Sequence, residues 1–366
     1  MRQQIPVLRG LAILAVICNH ATGWGYTAMF WWVYRYRQVT PPNYDQVGTL
    51  SYYSLVAIQQ LALFSVPVFL FISGFFIAYA ARGSQPALSW KVVRVRIISL
   101  LWPYLVWSLV IFVGDFLQGM SYSLVEYFRR LVVGDATVAY FFVPLLCQFY
   151  LLSPFIARWG KVRSSQVLLA SALIQLTVMG LLYLRLFGVV LPDVHRLGDW
   201  VFIWWGFYFP LGVVFGFHFK LVRQWLGPFK WGLLMATVAL GVLSIIESEV
   251  LYDLTRDYDW ARGPFKFSTF LYTVAFILLF LAFDKISLPF TRTINWIGIR
   301  SYGIYLLHPK VLAVTAKVVY HIAPWLLAHQ VLYQPVLLAS GLGIPLLFMA
   351  GIAKSPARKF YHYLFG

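Results

Sequence analysis

The sequence is a succession of apolar runs, each about as long as a bilayer is thick. A hydrocarbon core of about 30 Å takes about 20 apolar helical residues to cross. Ten such runs can be read, near 5–24, 52–80, 92–117, 138–158, 166–187, 199–219, 230–250, 265–284, 298–320 and 331–353. In lipid every backbone polar group must be satisfied within the span, so the expected fold is an all-α polytopic transmembrane helical bundle. Composition agrees: 61% of the 366 residues are hydrophobic and 11% are charged, with a mean hydropathy of +0.76, which excludes a water-soluble domain. No soluble insert, long linker or internal repeat is left over, so residues 1–366 read as a single transmembrane domain. The first run carries polar groups and is followed by many more spans. It is therefore read as a retained helix and not a cleaved signal peptide.

Lys and Arg number 29 against 12 Asp and Glu, a net charge of +17. The excess is spread over loops and not gathered into a basic domain, so nucleic acid is not an expected partner. One set of alternate loops holds 18 basic residues and a single acid, Asp284. The other set holds nine basic residues and the remaining 11 acids. The positive-inside rule then places both termini in the cytoplasm. Basic cytoplasmic loops face anionic membrane lipids and, in this reading, an anionic substrate. The acids of residues 247–262 read as a solvated loop. Residues 25–50 are rich in Trp and Tyr. An interfacial aromatic belt is their commoner cause, and stacking on sugars the second. Cys18 and Cys147 form neither a CxxC nor a zinc spacing, and no metal site is expected.

Two polar residues interrupt the first run. Arg9 and His20 lie eleven positions apart. At 100° per residue that is about 1100° of rotation, roughly 20° past three turns, with a rise of about 16 Å. Both side chains fall on one stripe of one helix. Singly, Arg9 reads as a snorkelling interfacial residue and His20 as a packed polar one. Together they point to a functional groove, because intramembrane charge is expensive unless it faces protein, water or ligand. Internal prolines at 67, 103, 144, 210, 309 and 345 free helical carbonyls, which is tolerated where helices line a cavity.

Further polar groups gather toward the basic side. Ser73 ends the second span, while Lys91, Arg94 and Arg96 open the third, with Lys91 and Arg94 on one helical face. Positive-inside topology alone explains these cations about as well as a ligand does. His308 falls near the middle of the ninth span. A basic rim leading to a buried imidazole suits an anionic donor whose reactive end reaches into the membrane. The cations would hold phosphates and a histidine would take a proton from a hydroxyl.

Four motifs, in order and on separate spans, carry a family resemblance. They are Arg9-x10-His20, Phe71-Ile72-Ser73-Gly74-Phe75, Tyr140 through Pro154 with Gln148 and Tyr150, and Gly298 through Pro309 with Ser301, Tyr302, Tyr305 and His308. Over nearly its whole length the chain resembles the integral-membrane acyltransferase family 3, bacterial membrane O-acyltransferases of cell-surface glycans. One departure stands out. The family often has Arg-x-x-Arg before the third-span proline. With Pro103 setting the register, Arg96 takes the first place and Ser99 the second.

The resemblance implies a multi-pass protein of the bacterial plasma (inner) membrane. It implies acetyl-CoA, or another short acyl-CoA, as donor substrate, with no bound cofactor. The acceptor would be a hydroxyl of a glycan or lipid-linked molecule. His20 would be the general base or part of a transmembrane acyl relay, and Arg9 would bind donor phosphate or carbonyl. Lys91, Arg94, Arg96 and Ser73 would bind acyl-CoA. Ser301, Tyr302, Tyr305, His308, Gln148 and Tyr150 would line the path. A transporter or exporter of polysaccharide or lipid also fits kinked helices around a polar interior, though such folds commonly carry repeats.

Overall fold

A computed structural model describes residues 4–82, 88–189, 198–283 and 289–366. Arg2, Asp193, Arg196, Asp284 and Lys285, counted above among the loop charges, lie outside the described residues. The regular structure among the described residues is all helical: α1 (Gln4–Tyr26), α2 (Leu50–Ala62), α3 (Ser65–Ala80), α4 (Trp90–Leu117), α5 (Leu124–Val133), α6 (Phe142–Val162), α7 (Ser164–Tyr183), α8 (Tyr208–Leu226), α9 (Lys230–Thr255), α10 (Tyr258–Arg262), α11 (Phe267–Ala282), α12 (Thr291–Ile299), α13 (Ser301–Ile322), α14 (Gln330–Lys354) and α15 (Tyr361–Phe365). Eight stretches among these residues are long and apolar enough to cross a membrane. One of them, Tyr208–Thr255, is 48 residues long and contains both α8 and α9. The expected ninth span corresponds to α13, which is not among the eight. Its two lysines and two histidines lower its hydropathy.

α1 sits at the centre, against α2, α3, α12, α13 and α14. Close approach of backbones fixes it there. A Cβ on Gly10 would overlap the carbonyl oxygen of Ile294, and one on Gly298 would overlap that of Pro6. The same device joins α3 to α8, where Gly74 meets the Phe209 carbonyl and Gly212 meets the Phe71 carbonyl. Lipid offers no hydrophobic drive between helices, so small residues that let backbones touch supply the dispersion contact instead.

Several expectations are corrected. The second span holds as one stretch, Leu50–Ala80, but its helix breaks at Leu63–Phe64 into α2 and α3. Pro67, Pro144 and Pro210 do not kink their helices. Each is the third residue of its helix, where the missing N–H has no intrahelical partner to lose. Pro103, Pro309 and Pro345 do lie inside helices. Residues 199–207 are not membrane helix. They form a turn and a short 3₁₀ segment, Phe202–Trp205, before α8 begins.

The acidic stretch 247–262 is not a solvated loop either. Glu247 and Glu249 lie inside α9. Glu247 accepts from the Tyr183 hydroxyl and from the Ser268 amide and hydroxyl. Glu249 pairs with Arg262 at 2.6 Å. Arg262 and Lys266, read as loop charges, are 3% and 0% exposed. The Lys266 ammonium donates to Gln60 Oε1 (2.7 Å), Ala261 O (3.0 Å) and Gly263 O (2.7 Å), so all its protons find acceptors. Arg129 and Arg130 belong to α5, an amphipathic surface helix. Leu124, Val125, Phe128 and Val132 are exposed on it, while both arginines bond Glu126. That pattern suits a helix lying in the membrane interface. Outside the spans, those two arginines hold the Glu126 carboxyl well below its usual range, at about 2.

Candidate active site

One wall of α1 faces a cavity of about 330 Å³, and Arg9, Val16, Asn19 and His20 all line it. Their spacing of seven, three and one residues keeps them within one broad stripe of the helix. The cavity is lined on its other sides by α3, α4, α6 and α13, by the break between α2 and α3, and by the turns that precede α6 and α8.

The Arg9 end is polar and basic. Arg9 Nη2 donates to Ser301 Oγ, the first residue of α13, at 2.9 Å. Arg96 lines the same end and stands over the Tyr150 ring, 5.8 Å from its centroid. Ser73 lines the cavity too, with its hydroxyl bonded to the Phe69 carbonyl of its own helix at 2.7 Å. Tyr302 and Tyr305 line it while stapling α13 in place. Tyr302 donates to the Leu100 carbonyl on α4 at 2.6 Å, and Tyr305 donates to the Ala139 carbonyl before α6.

The His20 end is lined by Ser65 and Val66 at the start of α3, by Phe141 and Trp205, and by Asp199 and Pro264. Asp199 lies outside the spans. Desolvation, with the like charge of Asp259 second, pushes its carboxyl above the usual carboxylate range. The cavity is thus cationic at one end and carries a carboxyl group and aromatic rings at the other.

Eight of the twelve residues expected at the site line this one cavity: Arg9, His20, Ser73, Arg96, Tyr150, Ser301, Tyr302 and Tyr305. Four do not. Lys91 and Arg94 are exposed on the first turns of α4, nearer its start than Arg96. Gln148 braces the segment before α8. It donates to Trp200 O at 2.7 Å and accepts from the Phe202 amide at 3.3 Å. His308 lies behind His20, with the two ring centroids 5.2 Å apart.

Residues not singled out from the sequence also line the cavity. Asn19 is one, and its Oδ1 has no hydrogen-bond partner among the described residues. Its signal was present, as a polar side chain beside His20 in an apolar run. Asp199, Trp205 and Pro264 gave none, because only the fold brings those segments to α1. Among the described residues, no three His, Cys, Asp or Glu side chains gather as a metal site requires.

Residues 2–350 match a family model described as an acyltransferase domain. No curated protein and no solved structure matches the chain.

Proposed function

The chain belongs to this acyltransferase family and is a multi-pass membrane acyltransferase; from that premise we propose that it moves an acetyl group from acetyl-CoA to a hydroxyl of a cell-surface glycan or lipid-linked acceptor. The observation that carries this reading is a single cavity with Arg9 and Arg96 at one end and His20 at the other. The donor enters from the basic end. Arg9 and Arg96 hold its phosphates through charge-assisted bonds, and the flexible arm of the coenzyme runs along α1 toward His20. The acceptor arrives past Phe141, Trp205 and Asp199, where aromatic faces and a carboxyl group suit a polyhydroxylated molecule.

His20 is the base. It takes the proton from the acceptor hydroxyl as that oxygen attacks the thioester carbonyl. A C–O bond forms, the C–S bond breaks, and the proton returns from the imidazolium to the departing thiolate. The products are an ester and free coenzyme A. The basic end faces the cytoplasm, where acyl-CoA is made; the 18-to-9 asymmetry of loop cations supports that orientation. Ten spans, both termini inside and residence in the bacterial inner membrane belong to the same reading.

The test is transfer of label from [14C]acetyl-CoA by purified protein to membranes prepared from cells lacking it. The expected product is alkali-labile label in the glycan or lipid fraction, abolished by His20→Gln. Parental protein that transfers no label sinks the donor assignment. His20→Gln protein transferring at the parental rate, at equal thermal stability, sinks the base assignment.

A further inference from the structure

His308 is the one completely buried histidine among the described residues, at 0% exposure, and the proposed chemistry leaves it without a task. Its place is well defined. Nδ1 lies 2.8 Å from the carbonyl oxygen of Tyr305 and 3.2 Å from that of Ile304, both one turn back on α13. A carbonyl oxygen only accepts. Nδ1 must therefore carry the hydrogen, and in the neutral ring the lone pair is left on Nε2. Pro309 follows directly, and a proline frees a carbonyl one turn before it, that of Tyr305. The orphaned carbonyl and the histidine N–H satisfy each other, so the tautomer of His308 is fixed by its own helix.

Nε2 sits on the other edge of the ring and has no hydrogen-bond partner among the described residues. A buried acceptor without a donor is rare in a folded protein and asks for one. The ring that stands beside it is His20, with centroids 5.2 Å apart and planes at 44°. Two imidazoles joined edge to edge by one N–H···N bond of about 3 Å hold their centroids roughly 5 Å apart. The separation is already right, and only the ring orientation is not. The Cβ–Cγ torsion of His20 is soft, so its ring can turn about its own centre and re-aim its nitrogens at that separation. Catalytic hydrogen bonds are often unformed in unliganded sites and tighten when substrate arrives.

We propose that His308 is a positioning residue for His20: its Nε2 lone pair accepts the N–H of His20 and so keeps the lone pair of the other His20 nitrogen facing the cavity. This rests on His20 being the base. A neutral imidazole has two tautomers, and only the one with its lone pair on the cavity side can take the acceptor proton. The arrangement does with a second neutral ring what a carboxylate does in a hydrolase triad, and it avoids placing another charge in the membrane. The histidine that the substrate meets is tuned by one that it never touches.

Two variants separate this from a purely structural role. His308→Leu fills similar space and removes the acceptor. His308→Gln places an amide oxygen near the position of Nε2 and keeps it. With His308→Leu, kcat should fall about 10–100-fold, the scale seen when a metal-bound histidine loses the partner that orients it, with the acetyl-CoA KM unchanged. His308→Gln should recover most of that loss. The second readout needs no turnover. In 15N-histidine-labelled protein saturated with coenzyme A, with His20 assigned by difference from His20→Gln, nitrogen shifts should report one tautomer in the parent and a mixture in His308→Leu. Parental kcat in folded His308→Leu overturns the proposal. So does a parental spectrum that already shows His20 as an even mixture, which decides the matter even where His308→Leu does not fold. If His20→Gln retains activity while the tautomer result stands, the base assignment has failed and the orientation of His20 has not.

Discussion

The ion pair between Arg262 and Glu249 should be far more sensitive to loss of the acid than to loss of the base. Arg262 is 3% exposed, and its guanidinium donates to Ser248 Oγ at 2.7 Å and to the Tyr52 hydroxyl. It also lies 5.5–5.6 Å from the Tyr252 and Tyr52 ring centroids. Glu249 neutralises it at 2.6 Å, and the Glu249 side chain keeps 23% of its surface accessible. Replacing Glu249 by Leu strands a cation with neutral partners only. Breaking a buried pair in this way costs about 3–5 kcal/mol. Replacing Arg262 by Leu leaves a carboxylate that reaches solvent and still accepts from Tyr52, so the cost is nearer about 1–3 kcal/mol. At about 2 cal/mol/K per residue, the unfolding entropy of 366 residues makes each kcal/mol worth about 1.3 °C in Tm. Glu249→Leu should therefore melt about 4–6 °C below the parent and Arg262→Leu about 1–4 °C below. The double replacement should lie closer to the parent than Glu249→Leu does, because no charge is then stranded. Tryptophan fluorescence during thermal unfolding in detergent measures all three. Equal or reversed losses for the two single variants would show that burial of the guanidinium is not what makes the pair matter.

Three further outcomes are expected. Arg9→Lys should raise the acetyl-CoA KM by less than Arg9→Ala if charge alone is used, and by nearly as much if the planar fork is needed, read from initial rates at varied donor concentration. Arg96→Ala alone should weaken donor affinity, whereas Lys91→Ala with Arg94→Ala should change it little, because of these three cations Arg96 alone lines the cavity; equal effects in a direct CoA-binding measurement would return the donor to the exposed start of α4. Cysteine placed at residue 35, in a chain with Cys18 and Cys147 replaced by alanine, should react with an impermeant reagent from outside the cell, and labelling only from the cytoplasmic face would reverse the topology.

Much of the bundle is legible from apolar length alone, because the bilayer sets one dimension for every helix. What length does not show is where a long run breaks. Leu61 through Phe64 is apolar without interruption, and the nearest proline, Pro67, sits just inside α3 as a helix opener. The interfacial helix α5 went unseen because it is too short to span, although its apolar residues 124, 125, 128 and 132 keep helical period. Arg262 and Lys266 looked like loop charges because the partners that permit their burial are remote: Tyr52 and Gln60 stand more than 200 positions away.

The site divides along the same line. Arg9 and His20 could be placed on one face because a single helix carries both, and an α-helix converts sequence spacing directly into angle. Ser301, Tyr302 and Tyr305 could be named but not placed, since their positions depend on hydrogen bonds from α13 to α1, to α4 and to the turn before α6. Lys91 and Arg94 show the converse. Their three-residue spacing is that of a paired site, yet three residues along a helix that starts at Trp90 leave both on its exposed first turns, while Arg96 turns inward. Charge spacing tells which cations share a face and not which face meets the cavity. That is decided by packing, and here by glycines: Gly10 against Ile294 and Gly298 against Pro6 hold α1 and α12 at backbone distance, one residue from Arg9 and three from Ser301. A side chain at Gly10 or Gly298 would push those helices apart and separate Arg9 from Ser301, so part of the geometry of the basic end is written in residues that bear no charge.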